Sequence, residues 1–190
     1  MQDVLSGVDF DQIMNALSDK TCNLNNQEKK YVAAIYHYTE NGYSDINSHL
    51  RGTYIGDSKI KKTINYIDSA LKWLGDYDPK RTVVRYSDLN KEHIEIIKKP
   101  RSVIYIPSYT STSANINFKY HTKKRFKFII YRDKGSFIGD YSYYPHEEEV
   151  LIPRSSFFKV LEFDESSNLV YLKQIDTEYL RLAVRNNNEV

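Results

Sequence analysis

The sequence is poor in cysteine, glycine, proline and net charge, and each shortage closes off a class of protein. Cys22 is the single cysteine, so an internal disulfide framework and a thiolate-rich zinc site are both excluded. The 7 glycines and 5 prolines form no linker, which favours one continuous domain over 1–190. The 27 Lys and Arg nearly balance the 25 Asp and Glu, leaving a formal charge of +2. A dedicated nucleic-acid binder carries a larger basic excess, so nucleic acid is not an expected partner. No run of about 18 apolar residues occurs, so no helix is expected to span a membrane. Residues 1–20 alternate acidic and apolar side chains and lack a secretory apolar core. The expected place of action is therefore a cytoplasm, unless specialised export or phage delivery moves the chain. The Walker-type GxxxxGK loop and the GxGxxG turn are both missing, as is a GxSxG nucleophile elbow. The histidines (His37, His49, His93, His121 and His146) include no i, i+4 pair, so no metal is expected.

What is present is a chain that can fold on its own core. Apolar residues make up 41% and aromatics 14%, including 17 Tyr, too many for a disordered chain. Residues 1–79 read as mainly helical. Phe10, Ile13, Met14 and Leu17 share a helical face. Asn25 or Asn26 caps a second helix that Asn41-Gly42 should stop. Ser44 is the expected cap of a short helix ending at Gly52. Asp57 or Ser58 opens a longer one closed by Gly75. Residues 80–176 read as mainly β. Strand candidates are 82–86, 102–106, 125–131, 149–152, 157–163 and 169–175, with a hairpin turn at 164–168 and one helical interruption at 88–98. Residues 177–190 form a tail. The expected fold is α+β: small N-terminal helices packed on an antiparallel β-sandwich core.

Two polar segments carry chemistry. Thr110-Ser111-Thr112-Ser113 puts hydroxyls on consecutive residues after a strand, with Ser111 and Ser113 on one face. Glu147-Glu148-Glu149 runs into the apolar strand Val150-Leu151-Ile152, with Glu147 and Glu149 expected to share a face. Neighbouring carboxylates repel and raise one pKa. Taken singly, the first reads equally as edge-strand decoration and the second as a solvated turn. The basic run Lys119, His121, Lys123, Lys124 and Arg125 reads as a solvated loop or as a phosphate contact.

Taken in order, Arg85 at a strand end, Ser111-Thr112-Ser113, and Glu147-x-Glu149 before Val-Leu-Ile-Pro resemble the Arg-Ser-Glu mono-ADP-ribosyltransferases. These are bacterial and phage toxins and effectors of the ExE type. Tyr43, Ile46, Asn47, Leu50, Arg51 and Gly52 resemble that family's helical stretch, and Ile67 to Leu71 its next helix. The resemblance covers roughly residues 28–175. It implies NAD as co-substrate, no metal, and transfer of ADP-ribose to an arginine of a target protein with release of nicotinamide. It assigns Glu149 to the ribose cation and Glu147 to the acceptor arginine. Arg85 would bind NAD, and Ser111 would hold the ribose and Arg85. Thr112 and Ser113 would brace the strand, and Asn47 joins the NAD-binding group. Tyr86 stands where relatives often carry glycine or a second arginine. Arg125 or Lys123 would then supply the missing charge, and Arg81 competes with Arg85. Phe118, Tyr120 and Phe126 are candidates to stack on nicotinamide. Residues 139–146 match the family's target-recognition loop. Tyr144 there faces the acceptor arginine, or else Tyr141, Tyr143 and Tyr144 only pack the loop. The partner is a target protein, with actin, a small GTPase or a bacterial host protein as classes, and the chain is expected to be a monomer. Other outcomes of the same fold are an NAD glycohydrolase, a transferase to a different acceptor, or an inactive binding module.

Overall fold

The computed structural model describes residues 10–78, 82–118 and 124–176. Arg81, Lys119, Tyr120, His121, Lys123 and the tail from 177 lie outside the described residues. The helical front comprises α1 (Phe10–Ala16), α2 (Ser18–Thr21), α3 (Asn26–His37), α4 (Tyr43–Leu50) and α5 (Ser58–Leu74). Asn25 starts α3 with a capping box: its side chain accepts the Gln27 and Glu28 N–H groups at 2.8 and 3.0 Å, and Glu28 accepts the Asn25 N–H at 2.8 Å. Asp57 caps α5 by accepting from Lys59 and Ile60, both at 2.9 Å. Gly75 ends that helix at φ 72°, a left-handed turn suited to glycine. The apolar stripes meet between α3 and α5, where Val32, Ala33, Ile35, Ile64 and Ile67 are buried.

Asn41-Gly42 does not stop the second helix. After α3 the chain runs through a π-helical turn, Tyr38–Gly42, straight into α4. Ser44 lies inside α4 and caps nothing. The reason is the use to which Gly42 is put. Its φ is −70°, so it supplies no left-handed cap. Instead the His37 ring lies where a Cβ would stand, with Nε2 2.6 Å from that position. Gly42→Ala is therefore expected to overpack this turn and cost about 2 kcal/mol, read as a lower urea midpoint. An unchanged midpoint would mean the ring has room to move.

The β part has β1 (Thr82–Ser87), β2 (Val103–Ile106), β3 (Thr110–Ser113), β4 (Phe126–Tyr131), β5 (Ser136–Phe137), β6 (Glu149–Ile152), β7 (Ser156–Asp164) and β8 (Leu169–Ile175), with α6 (Lys91–Ile97) after β1. They form one sheet ordered β2-β7-β8-β4-β1-β3-β6-β5. The sheet bends over itself. Val150 and Ile152 of β6 share a core with Phe158, Val160, Val170 and Leu172 of β7 and β8, while Leu151 between them joins the helical core. Burial on both faces explains why β6 reads as an unbroken apolar run. The pairing is antiparallel throughout except β4–β8, which is parallel. After the β7–β8 hairpin, β8 lies beside β4 in the same direction. β1 and β3 are joined only by the pair Val84–Ser113, and this narrow seam is where the sheet splits.

Candidate active site

Register fixes which side chains face the split. Ser113 pairs with Glu149, Thr112 with Val150, and Ser111 with Leu151. Directly opposed residues of an antiparallel pair point the same way. Ser111, Ser113, Glu149 and Leu151 therefore face the helical front, and Thr112 and Val150 face the β core. Thr112 Oγ1 donates to the Val150 carbonyl at 2.6 Å, which ties β3 to the strand of Glu149. The Ser113 hydroxyl accepts the Asn115 N–H at 3.1 Å.

A cleft of about 750 Å³ opens between this face, the end of β1, and the π-turn with α4. Nine residues to which the resemblance assigns a site role line it: Arg85, Tyr86, Ser111, Thr112, Ser113, Asn47, Tyr144, Glu147 and Glu149. Its size suits a sizeable organic ligand. Arg85 Nη1 donates to the Ser111 carbonyl at 2.6 Å, so the guanidinium holds the Ser111 backbone. The Ser111 side chain acts on Glu149, lowering its pKa. Asn47 stands between two walls. Its Nδ2 donates to the Tyr38 hydroxyl at 3.0 Å, and its Oδ1 accepts the Tyr109 N–H at 3.2 Å. Behind it, the Tyr109 hydroxyl donates to Asp68 at 2.6 Å, and Asp68 also holds Arg154 through two nitrogens. This chain locks α4 and α5 to the start of β3.

The two glutamates reach the cleft by different backbone routes. Glu149 lies in β6 and is 4% exposed. Glu147 ends a 3-10 turn, Pro145–Glu147, and is half-buried. Glu148 between them is left-handed at φ 47°. Strand alternation alone, expected from the sequence, does not align the pair; the left-handed residue does. Glu148 turns away to accept from Asn115 at 3.3 Å. Burial pushes the Glu149 carboxyl up to about 7, the Ser111 hydrogen bond pulls it back, Glu147 adds repulsion and Arg85 attraction. Burial also raises Glu147.

The loop before the glutamates is sorted by its contacts. Tyr141 packs on Trp73 at 5.9 Å, and Tyr143 on Tyr36 at 5.4 Å. Tyr144 alone of the three tyrosines lines the cleft. Phe126 is 4% exposed inside the β core, so it stacks on no cleft ligand; Phe118 lines the cleft. Arg125 does not line it and pairs with Asp88 at 3.6 Å. Lys124 lines it instead, also paired with Asp88, at 3.3 Å. Sequence reasoning missed Tyr38, Thr39, Glu40 and His146 on the cleft wall. The first three sit on the π-turn, which no sequence pattern announced. Among the described residues no group of three or more His, Cys, Asp or Glu could hold a metal ion, and no helix is long and apolar enough to cross a membrane.

A split-sheet cleft walled by small helices is the architecture of the ADP-ribosyltransferase-like fold. Comparison with known proteins makes this particular. The chain belongs to the ADP-ribosyltransferase exoenzyme family, whose sequence model matches residues 13–183. It is 29% identical over 153 residues to Mav of Mycobacterium avium (strain 104), which is named as a candidate NAD(+)–arginine ADP-ribosyltransferase. That match covers 80% of this chain but 18% of Mav, so the chain spans under a fifth of that relative. HopU1, an ADP-ribosyltransferase of Pseudomonas syringae pv. tomato DC3000, superposes with TM-score 0.70 at 22% identity, over 89% of each chain. The type III effector XopAI of Xanthomonas axonopodis pv. citri gives 0.72 at 20% identity, over 88% of this chain and 73% of that one. At those identities the likeness is one of fold.

Proposed function

We propose that the chain is an NAD-dependent mono-ADP-ribosyltransferase that transfers ADP-ribose to an arginine of a target protein and releases nicotinamide. The observation that carries this reading is one cleft lined by Glu149 and Glu147 at unlike depth, Glu149 buried at 4% exposure and Glu147 half-buried. The cations Arg85 and Lys124 line the same cleft and suit the diphosphate of NAD. Family membership supports an enzymatic function with NAD as co-substrate.

The chemistry follows from depth. The bond between nicotinamide nitrogen and ribose C1′ breaks with its electron pair going to nicotinamide, and the sugar gains positive charge. A buried carboxylate at Glu149 stabilises that charge strongly because little water screens it. The acceptor guanidinium is protonated and a poor nucleophile. Glu147 orients it and takes its proton as the new C1′–N bond forms. Ser111 keeps Glu149 aimed and its charge tolerable. Tyr144, with its ring open to the cleft, lies flat against the guanidinium, a contact of about 0.5–2 kcal/mol.

The test is labelled NAD with an arginine-bearing acceptor, followed by nicotinamide release and mass spectrometry of the product. Modification at a residue other than arginine, or none with NAD still hydrolysed, would replace the acceptor in this reading. A pH dependence also follows. Glu149 must be ionised to act, and in the free protein it titrates at about 7. The kcat/KM for NAD is expected to rise about tenfold per pH unit below that point and then level off. Ser111→Ala removes the interaction that lowers this value, so the rise should move to higher pH. A flat profile through this range would show that Glu149 is ionised before NAD arrives.

A further inference from the structure

The π-turn carries a carboxylate, Glu40, for which the chemistry above has no use. It lines the cleft together with Tyr144 and Glu147, and among the described residues no hydrogen bond or ion pair engages it. Its place is fixed by its neighbours. Thr39 Oγ1 donates to the Tyr36 carbonyl at 3.0 Å and accepts the Tyr143 N–H at 2.8 Å. The residue before Glu40 is thus fastened to the loop of Tyr144 and Glu147. Tyr143 stacks edge-on with both Tyr36 and Tyr144, at 5.4 and 4.8 Å. The Glu40 charge is close enough to Tyr36 to add to the rise that burial gives its phenol. Glu40 therefore sits on a segment fastened to the loop that carries Tyr144 and Glu147, and lines the same cleft as they do.

The reacting guanidine must come close to Glu149, which is buried. Glu40 is half-buried, between buried Thr39 and exposed Asn41. With Glu147 assigned to the reacting nitrogen, Glu40 is the acid left to meet what lies beside the acceptor side chain.

We propose that Glu40 is a specificity-determining residue that selects an acceptor arginine with a second cationic side chain next to it. This rests on the arginine-transfer reading above and names the kind of surface that reading needs: a basic stretch of a target protein. An ion pair open to water is a small effect, up to about fivefold in affinity, and salt screens it.

Three arginine peptides serve as probes, identical except for glycine, lysine or aspartate beside the arginine. NAD hydrolysis by each protein is followed in parallel. The wild type should show a KM for the lysine peptide about fivefold below that for the glycine peptide, with the gap closing at high salt. Glu40→Gln should remove the gap, and Glu40→Lys should invert it toward the aspartate peptide. An inverted preference cannot come from a damaged fold. Equal KM values in the wild type, or a gap that survives Glu40→Gln, would overturn the assignment of Glu40. Absence of NAD hydrolysis and transfer in the wild type would instead overturn the enzymatic reading on which it rests.

Discussion

Glu149→Gln is expected to abolish NAD cleavage and, in the same protein, to stabilise the fold. Loss of a preorganised charge beside the forming sugar cation costs about 10³-fold in rate, in hydrolysis and transfer alike. The gain in stability comes from the same burial. The folded value of about 7 lies above the ordinary 4.5. As pH rises, the unfolded chain therefore loses this proton first, and the folded state falls behind. The penalty is absent below about pH 4.5, grows up to about pH 7 and is constant above. At 1.36 kcal/mol per unit it amounts to roughly 3 kcal/mol. Glutamine has the same size and no charge, so the variant escapes most of it. In a protein of this size that raises Tm by about 5 °C or more at pH 8, and by little at pH 4. Thermal melts at both pH values, beside an NAD-consumption assay, test both halves. A variant that still cleaves NAD at a tenth of the wild-type rate, or melts no higher at pH 8, would show that Glu149 is not the buried acid of the reaction.

Glu147→Gln should separate two activities that Glu149→Gln removes together. Water can attack the sugar cation without Glu147, but a guanidinium must first give up a proton. General-base help of that kind is worth about 10²–10⁴-fold. Transfer to arginine is expected to fall by at least about a hundredfold, while NAD hydrolysis falls by no more than about threefold. The half-buried position and raised carboxyl of Glu147 suit a group that must accept a proton. Measuring nicotinamide release with and without acceptor gives both rates from one preparation. If the two rates decline in parallel, Glu147 serves NAD and not the acceptor.

Local rules carried much of this structure. Asn25 and Asp57 cap helices as short polar residues before apolar stripes should, and β6 was visible as an apolar run. Ser111 and Glu149 were singled out by resemblance to the Arg-Ser-Glu motifs, and the β3–β6 register turns both toward the cleft they line. Three features were not legible. Gly42 looked like a stop because glycine serves both left-handed turns and close approaches, and only the His37 ring shows which applies. The parallel β4–β8 pair depends on contacts 40 or so residues apart, which no window of sequence contains. The aim of Glu147 rests on the left-handed Glu148, a conformation glutamate seldom signals. Of the residues missed, Tyr38, Thr39 and Glu40 belong to the π-turn, and π-turns have no sequence pattern strong enough to read.

The single-pair seam between β1 and β3 has a consequence for how such a protein changes over generations. Where two strands part, the lining of the gap is partly peptide groups, and peptide groups are the same whatever codon encodes them. Side chains away from the cleft and the cores can vary more widely as long as the parting survives. A shape held at roughly one-fifth identity by HopU1 and XopAI is what inheritance would leave behind under that rule.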